Sequence, residues 1–306
     1  MLRVLVRLRP QRWVPPWVTL RLARLASGPG GELTATALRR HLPAEGWTTR
    51  SGLVYDEGLG RYGLLDLALP DGPGPHPVVV WVHGGGWQFG DKTEVLPYLE
   101  LVASRGFAGA AVNYPLAPEA AYPAAPDGVR AALRYLRDHA AELGIDPTRI
   151  VIAGDSAGAQ VAAEVAVEDP SAFRGALLFC GIFDPRAVAD SDRFFAAGLE
   201  SAMWSLARTR AWQDSPTCRS MTVLDRATGS FPPTFLSAGN ADPLTRNQTV
   251  PFSARLRELG VPVDEYHPGD DASPVHHVYQ FRLDRPEGAE ALERLTAFLE
   301  KVLETR

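Results

Sequence analysis

The pentapeptide GDSAG, residues 154–158, restricts the possible folds of this chain more than any other stretch. It follows the apolar run IVIA and precedes a run of small residues, AQVAAEVA, with helical character. A strand, a sharp turn and a helix are the setting in which G-x-S-x-G forms a nucleophile elbow. A Cβ at Gly154 or Gly158 would crowd the neighbouring strand and helix, so both positions need glycine. We therefore expect Ser156 to project from the end of a strand into a pocket.

The segments after residue 50 alternate between short apolar runs and amphipathic helical patterns. Residues 52–58 and 62–70 are typical of a hairpin, and 127–144 of one helix that ends at Gly144. Continuous β-branched or apolar runs such as VVVWV and FAGAAVNY indicate strands buried on both faces. This order predicts an α/β fold with a mostly parallel, twisted central sheet and helices on both faces.

Composition narrows the function classes. The chain has 306 residues and a formal net charge of -5, which does not indicate a basic surface for binding nucleic acid. Its two cysteines, Cys180 and Cys218, are too few for a disulfide framework and predict free thiols in a reducing, cytoplasmic location. No metal-ligand cluster or cofactor fingerprint is visible, so we expect neither a metal nor a cofactor.

Two regions depart from the strand–helix alternation. Residues 1–50 precede the predicted catalytic domain at 51–306 and are expected to contribute helices to a cap. Arginines interrupt residues 1–25, which excludes stable membrane insertion but leaves weak membrane-surface association as an alternative to packing on the protein. Residues 184–231, rich in Trp, Phe and Met, are predicted to be a cap insertion; the alternative is a helical decoration over the sheet edge.

A serine hydroxyl needs a base, and a histidine base needs a carboxylate to orient it. On such an elbow the chain order is Ser, then Asp or Glu, then His. Asp242 follows a predicted strand in this order, although it could also simply start a turn before Pro243. His276 and His277 follow it and compete for the role of base, whereas His267, at a strand end, is expected to be structural.

The motifs HGGGW, GIDPTRIVIAGDSAG, AGNADPL and HHVYQF together resemble those of the α/β-hydrolase superfamily, specifically carboxylesterases similar to hormone-sensitive lipase. The resemblance runs from about residue 75 to the C-terminus. It implies a serine hydrolase that cleaves small-molecule esters. In that family a small or apolar residue and then an aromatic one follow the base, which favours His277. The chain departs from the family at Pro115, where an arginine is usual, and at Ala159, where a glycine is common.

The run of three glycines after His83 fits an oxyanion hole. A loop can turn successive N–H groups inward only with unusual dihedral angles and no side chains in the way. The resemblance implies that Gly85, Gly86 and the N–H of Ala157 form the hole. Gly84 would then shape the turn, and His83 would anchor the loop through its ring rather than act as a second base.

Several aromatic residues are candidates for the substrate pocket. Trp87, directly after the hole, could line the pocket or pack beneath the cap. Trp204, in the insertion, could line the pocket or belong to the core of the cap. Asp155 is also placed at the pocket, where the resemblance implies that it orients nearby loops.

The resemblance leaves other functions open. The segment HGGGWQFGDK is also similar to arylformamidases, so formamide or amide hydrolysis is an alternative to ester hydrolysis. A catalytically idle ligand-binding protein of the same fold is a second alternative, which the intact Ser, Asp and His disfavour. The resemblance also allows a homodimer that pairs through the edge strand near residues 261–267. A histidine base implies activity that rises through neutral pH.

Overall fold

The computed structural model describes residues 30–190, 193–270 and 273–304, so the expectations for the first 29 residues lie outside the described chain. Eight strands form a single sheet in the described residues. In chain order they are β1 (Trp47–Val54), β2 (Leu64–Pro70), β3 (His76–Val82), β4 (Ala108–Val112), β5 (Ile145–Asp155), β6 (Gly175–Phe179), β7 (Thr234–Ser237) and β8 (Val263–Tyr266).

The strand order across the sheet is β1-β2-β4-β3-β5-β6-β7-β8, which leaves β1 and β8 at its two edges. From β4 to β8 every neighbouring pair is parallel, whereas β2 is antiparallel to both β1 and β4. The predicted α/β architecture with a mostly parallel sheet is confirmed. Parallel neighbours end at the same edge, so the loops after β3, β5 and β7 meet there.

Helices connect most of the strands. They are α1 (Gly30–Arg39), α2 (Lys92–Ala103), α3 (Ala124–Asp138), α4 (Ala140–Leu143), α5 (Ala157–Glu168), α6 (Arg193–Ala207), α7 (Pro216–Met221), α8 (Val223–Arg226), α9 (Val250–Glu258) and α10 (Pro286–Glu304). None of the described helices is long and apolar enough to cross a membrane.

The side chains of β3 point alternately to the two faces of the sheet, and the core accordingly has two layers. Val78, Val80 and Val82 pack with residues of α3 and α5 on one face of the sheet. Val79 and Trp81 pack with residues of α2 and α10 on the other. Successive side chains of a strand point to opposite faces, so a strand covered by helices on both sides must be apolar throughout.

Three boundaries differ from the sequence-based expectation. Strand β1 begins at Trp47 rather than near residue 52, and most of its side chains are exposed, so hydrophobic patterning did not reveal its start. The predicted helix at 127–144 begins earlier, at Ala124, and is interrupted at His139. Its predicted stop is confirmed, because Gly144 caps α4 with a φ of 74°.

A buried ion pair ties the start of α2 to β2. The Nζ of Lys92 lies 2.7 Å from Oδ2 of Asp66, and both side chains are at most 9% exposed. The second carboxylate oxygen of Asp66 accepts a hydrogen bond from the backbone N–H of Gly52, and the backbone N–H of Lys92 donates to Asn113. These bonds position the helix that follows the glycine-rich loop.

Replacing Lys92 by Met is expected to lower the free energy of unfolding by about 3–5 kcal/mol, because the Asp66 carboxylate would remain buried without its cation. Urea-induced unfolding followed by circular dichroism measures the change. The matched control is Lys301→Met, which removes the only other lysine, part of an exposed pair with Asp264. The control should cost less than about 1 kcal/mol. Equal losses in the two variants would contradict the expectation.

Candidate active site

Residue 156 occupies the sharp turn between β5 and α5. Ser156 has a φ of 54° and a ψ of -123°, a strained conformation for a residue with a side chain. A Cβ on Gly154 would lie 2.6 Å from the carbonyl oxygen of Gly158, and a Cβ on Gly158 would lie 2.1 Å from that of Val82. The backbone N–H of Ser156 donates to Phe179 of β6 over 2.8 Å. The expected crowding around both glycines is confirmed, and Ser156 between them borders a cavity.

Three side chains from distant parts of the chain meet at this turn. The Nε2 of His277 lies 3.0 Å from Oγ of Ser156, and its Nδ1 lies 2.8 Å from Oδ2 of Asp242. His276, the competing candidate, is exposed and makes no such contact. His267, the third candidate, lies apart, with its Nδ1 3.2 Å from the carbonyl oxygen of Ala238.

Asp242 begins the turn after β7 and also faces His277. Its Oδ1 accepts a hydrogen bond from the backbone N–H of Leu244 over 2.8 Å, so both sequence-based interpretations of this residue describe real contacts. Burial alone would raise the pKa of Asp242, but hydrogen bonds from His277 and Leu244 outweigh it and lower the pKa. The carboxylate is therefore ionised at neutral pH and can stabilise a protonated imidazole.

The loop that carries His277 is fastened to the loop after β7. The side chain of Asn240 accepts a hydrogen bond from the backbone N–H of Val275 over 2.9 Å, and the N–H of Ala241 donates to the carbonyl of Val275 over 3.0 Å. Val278, next to the histidine, has a φ of 53°. These contacts fix the position of Asp242 relative to His277.

The glycine run lies beside Ser156, and its backbone needs residues without a side chain. Gly85 has a φ of 114° and Gly86 one of 62°. A Cβ on Gly85 would lie 2.3 Å from the carbonyl oxygen of Phe89, whereas one on Gly86 would meet nothing within 4 Å. Gly84 is also restricted, since its Cβ would lie 2.3 Å from Oδ2 of Asp155.

The buried ring of His83 contacts the glycine loop. Its Nδ1 lies 2.8 Å from the carbonyl oxygen of Gly84, and its ring stacks on Tyr114 with 4.5 Å between centroids. The Tyr114 hydroxyl donates to the carbonyl of His83 over 2.8 Å. Burial lowers the pKa of His83 to about 4. The ring is therefore neutral at pH 7, and its N–H is engaged by the loop.

Asp155 links three segments around the turn. Its Oδ1 accepts hydrogen bonds from Nε1 of Trp81 over 2.9 Å and from the N–H of Gly84 over 3.2 Å. Burial raises the pKa of Asp155 to about 6 even though these bonds lower it. The residue borders the cavity at Ser156, and its contacts are those of a residue that orients the glycine loop.

Trp87 lines the cavity and is connected to a polar network that the sequence did not reveal. Its Nε1 donates to Oε1 of Gln160 over 2.9 Å, and Nε2 of Gln160 donates to Glu164 over 2.8 Å. Glu164 also accepts from the Tyr122 hydroxyl, and Gln160 from α5 reaches the carbonyl of Met221. Two polar residues four positions apart in an otherwise small, apolar helix were the signal that could have indicated it.

Trp204 does not line the cavity, contrary to the pocket role considered for it. Its ring contacts the guanidinium of Arg210, which lies 4.5 Å from the ring centroid. The cavity is instead bordered by Leu199 and Ala202 of the same helix. Residues three apart share a helical face, whereas Trp204 is two residues beyond Ala202 and points elsewhere.

The cavity in front of Ser156 has a volume of about 460 Å³, within the usual range for small-molecule sites. Its walls are mostly apolar and come from the glycine loop, α1, α2, α6 and the loop around His277. The lining residues other than Ser156, His277 and the glycine loop include Thr34, Trp87, Gln88, Phe89, Glu94, Val95, Asp155, Ile182, Leu199, Ala202, Val278 and Phe281. Thr34, Gln88 and Glu94 were not identified from the sequence.

One group of possible metal ligands exists among the described residues. Cys180, Asp242 and His277 place their ligand atoms within 4.8 Å of one another. Two of these atoms are already joined by the hydrogen bond between Asp242 and His277. Burial raises the pKa of the Cys180 thiol well above its usual value, which disfavours the thiolate that a metal requires.

The chain belongs to the α/β-hydrolase family, among its carboxylesterases. The family model for the alpha/beta hydrolase fold matches residues 79–270. This range includes the glycine loop, the serine turn and Asp242.

Individual relatives agree with this assignment. Carboxylesterase NlhH of Mycobacterium tuberculosis is 31% identical over 269 residues, which are 82% of this chain and 83% of the relative. Among solved structures, esterase B from Lactobacillus rhamnosis has a TM-score of 0.80 at 18% identity and covers 94% of this chain and 95% of its own. A bacterial heroin esterase has a TM-score of 0.75 at 25% identity and covers 97% and 96%.

Replacing Gly85 by Ala is expected to lower kcat/KM for a short-chain aryl ester by about 100-fold or more, because the clash with Phe89 would displace the loop beside Ser156. Gly86→Ala should lower it less, since a Cβ there meets open space and only the positive φ of 62° opposes alanine, whereas Gly85 has both a positive φ and the clash. Melting temperatures show whether each variant folds. A larger loss in Gly86→Ala would contradict the steric difference between the two glycine positions.

Proposed function

We propose that this chain hydrolyses carboxylic esters with short-to-medium acyl chains through a Ser156–His277–Asp242 triad and an acyl-enzyme intermediate. The observation that carries the proposal is the pair of distances around His277: 3.0 Å to the serine oxygen and 2.8 Å to the carboxylate. Together they form a continuous path for a proton between nucleophile and base, with a buried acid behind the base.

In the first half of the reaction, Ser156 attacks the ester carbonyl carbon while His277 takes the hydroxyl proton at Nε2. A C–O bond forms and the carbonyl π electrons move to the oxygen, which becomes the oxyanion. Asp242 holds the Nδ1–H and stabilises the imidazolium. The oxyanion then re-forms the carbonyl and the C–O bond to the alcohol breaks, while the imidazolium gives its proton to the departing oxygen, so the alcohol leaves and the acyl group remains on Ser156.

In the second half, water loses a proton to His277 and attacks the acyl-enzyme. A second oxyanion forms and collapses, the bond between the acyl carbon and Oγ of Ser156 breaks, and His277 returns its proton to Oγ as the carboxylic acid leaves. Backbone N–H groups of Gly85, Gly86 and Ala157 are assigned to both oxyanions. Two features support this assignment: the glycines border the cavity at Ser156, and Ala157 begins helix α5, whose N-terminus favours negative charge.

Residues 184–231 and helix α1 are assigned to a cap that limits the size of the substrate. Leu199 and Ala202 of α6 and Thr34 of α1 border the cavity, which supports this role. Leu199 is also 6% exposed and part of the main apolar cluster. An acyl chain that extends past this wall would have to displace buried side chains.

Replacing Ser156 by Ala should abolish hydrolysis of p-nitrophenyl butyrate and labelling by a fluorophosphonate probe, with a loss of at least about 10⁴-fold in kcat. His277→Ala should cost a similar factor. The matched control is His276→Ala, because residue 276 is an exposed imidazole next in sequence, and its activity should stay within about twofold of the parent. Turnover by Ser156→Ala, or loss in His276→Ala alone, would overturn the mechanism.

The acyl preference follows from the cavity. Across p-nitrophenyl esters of increasing acyl length, kcat/KM should be highest for short-to-medium chains and fall for long ones. Leu199→Ala should move the optimum to longer chains by enlarging the cavity at the α6 wall, at a stability cost of about 2–5 kcal/mol. A profile that is the same in the parent and in Leu199→Ala would contradict the role of this wall.

A further inference from the structure

The cavity in front of Ser156 contains a carboxylate that the proposed mechanism does not use. Glu94 lies in the first turn of α2, directly after the glycine loop, and borders the same cavity as Ser156 and His277. It is half-buried rather than a solvated surface residue. A half-buried acidic side chain in the wall of a mostly apolar cavity is stabilised by a partner of opposite charge or by a hydrogen-bond donor.

The charges around the cavity are unbalanced. The acids that border it are Glu94 and Asp155, and no arginine or lysine of the described chain lines it. Lys92 is close in sequence, but its ammonium group is engaged by Asp66. The other titratable side chains of the lining are His83 and His277, so the cavity favours a positively charged ligand.

The two carboxylates differ in how many hydrogen bonds they accept. Oδ1 of Asp155 accepts hydrogen bonds from Trp81 and Gly84, and Oδ2 is packed so close to Gly84 that a Cβ there would lie 2.3 Å from it. No hydrogen bond joins the carboxylate of Glu94 to any residue that the structure describes. Gly31 of α1 lies directly against this carboxyl group, since a Cβ there would be 2.1 Å from Cδ of Glu94.

The ionisation of Glu94 responds to this environment. Burial, together with the nearby negative charges of Asp155 and Asp91, raises its pKa to about 7. A bound cation would reverse both effects, because it restores the interactions that burial removed and offsets the repulsion between the carboxylates. The strength of cation binding should therefore increase as the pH rises through about 7.

We propose that Glu94 binds the protonated amine of a cationic ester, so that the preferred substrates of this cavity carry an ammonium group on their alcohol or acyl part. This inference rests on the proposed ester hydrolysis at Ser156. The apolar walls formed by Trp87, Val95 and Phe281 would contact the hydrocarbon that joins the amine to the ester. Glu94 is thus a specificity-determining residue that takes no part in bond making or breaking.

A matched pair of substrates tests the proposal. 2-(Dimethylamino)ethyl butyrate is protonated at neutral pH, and 3-methylbutyl butyrate is its uncharged carbon isostere. The measured quantity is the ratio of kcat/KM for the amine ester to kcat/KM for the isostere. In the parent protein at pH 8 this ratio should exceed unity, and Glu94→Gln should lower it by about tenfold, since a partly buried ion pair would be lost.

The matched control is Glu100→Gln, which removes the same charge from the same helix. Glu100 accepts a hydrogen bond from Thr49 and does not border the cavity. The ratio in this variant should equal that of the parent, because a change of net charge alone does not affect the cavity. An equal fall in both variants would overturn the proposal.

The pH profile separates charge recognition from a structural role. The parent's ratio should rise between pH 6 and pH 8 as Glu94 ionises, and the rise should be clearly smaller in Glu94→Gln. Asp155, whose pKa is raised to about 6, also borders the cavity, but a change in its charge affects the ratio in the parent and in the variant alike, so the difference between the two profiles reports Glu94. Asp91 and His83 keep their charge over this range, because the pKa of Asp91 lies below its usual value and that of His83 is about 4. A flat ratio in the parent would overturn the proposal.

Failure of this inference differs from failure of the proposed function. If the isostere is hydrolysed and the ratio is the same in Glu94→Gln as in the parent, only the role of Glu94 is overturned. If neither butyrate ester is hydrolysed by the parent, the ester hydrolase function fails and the cationic substrate class fails with it.

Discussion

The close approach of backbone to backbone at the serine turn is the constraint on which the site depends. Gly158 lies so near the carbonyl of Val82 that a single added carbon would sit 2.1 Å from it. This contact brings the start of α5, the end of β3 and the glycine loop to one place. Ser156 therefore faces the His277 imidazole and the backbone of the glycine loop in the same cavity.

The polar residues around this turn form a second level of organisation. Asp155 joins β3, β5 and the glycine loop, and Gln160 joins Trp87 to the carbonyl of Met221. Buried polar networks of this kind are stable only if their members are satisfied, and then they select one arrangement. They explain how a loop of consecutive glycines, which is costly to order, is held in a single conformation.

Some features followed from sequence because their cause is local. The GDSAG turn needs glycine at fixed positions, and β3 and β5 are apolar on both faces, so the turn and the sheet class were both visible in the sequence. Other features have no local signal. The exposed strand β1 lacks an apolar pattern. The face of α6 that borders the cavity depends on how that helix is rotated, which is why the sequence left open whether Trp204 lines the pocket or belongs to the core of the cap.

The sequence alone determined which chemical groups this protein has and in what order: a serine in a glycine-flanked turn, an acid after a later strand and a histidine near the end. Tertiary structure decided their distances, the choice of His277 over its neighbour, and the presence of Glu94 in the cavity wall. The physical reason is the separation along the chain over which each kind of interaction acts. Backbone sterics act over a few residues, whereas contacts between Ser156 and His277, 121 positions apart, exist only after the sheet has assembled.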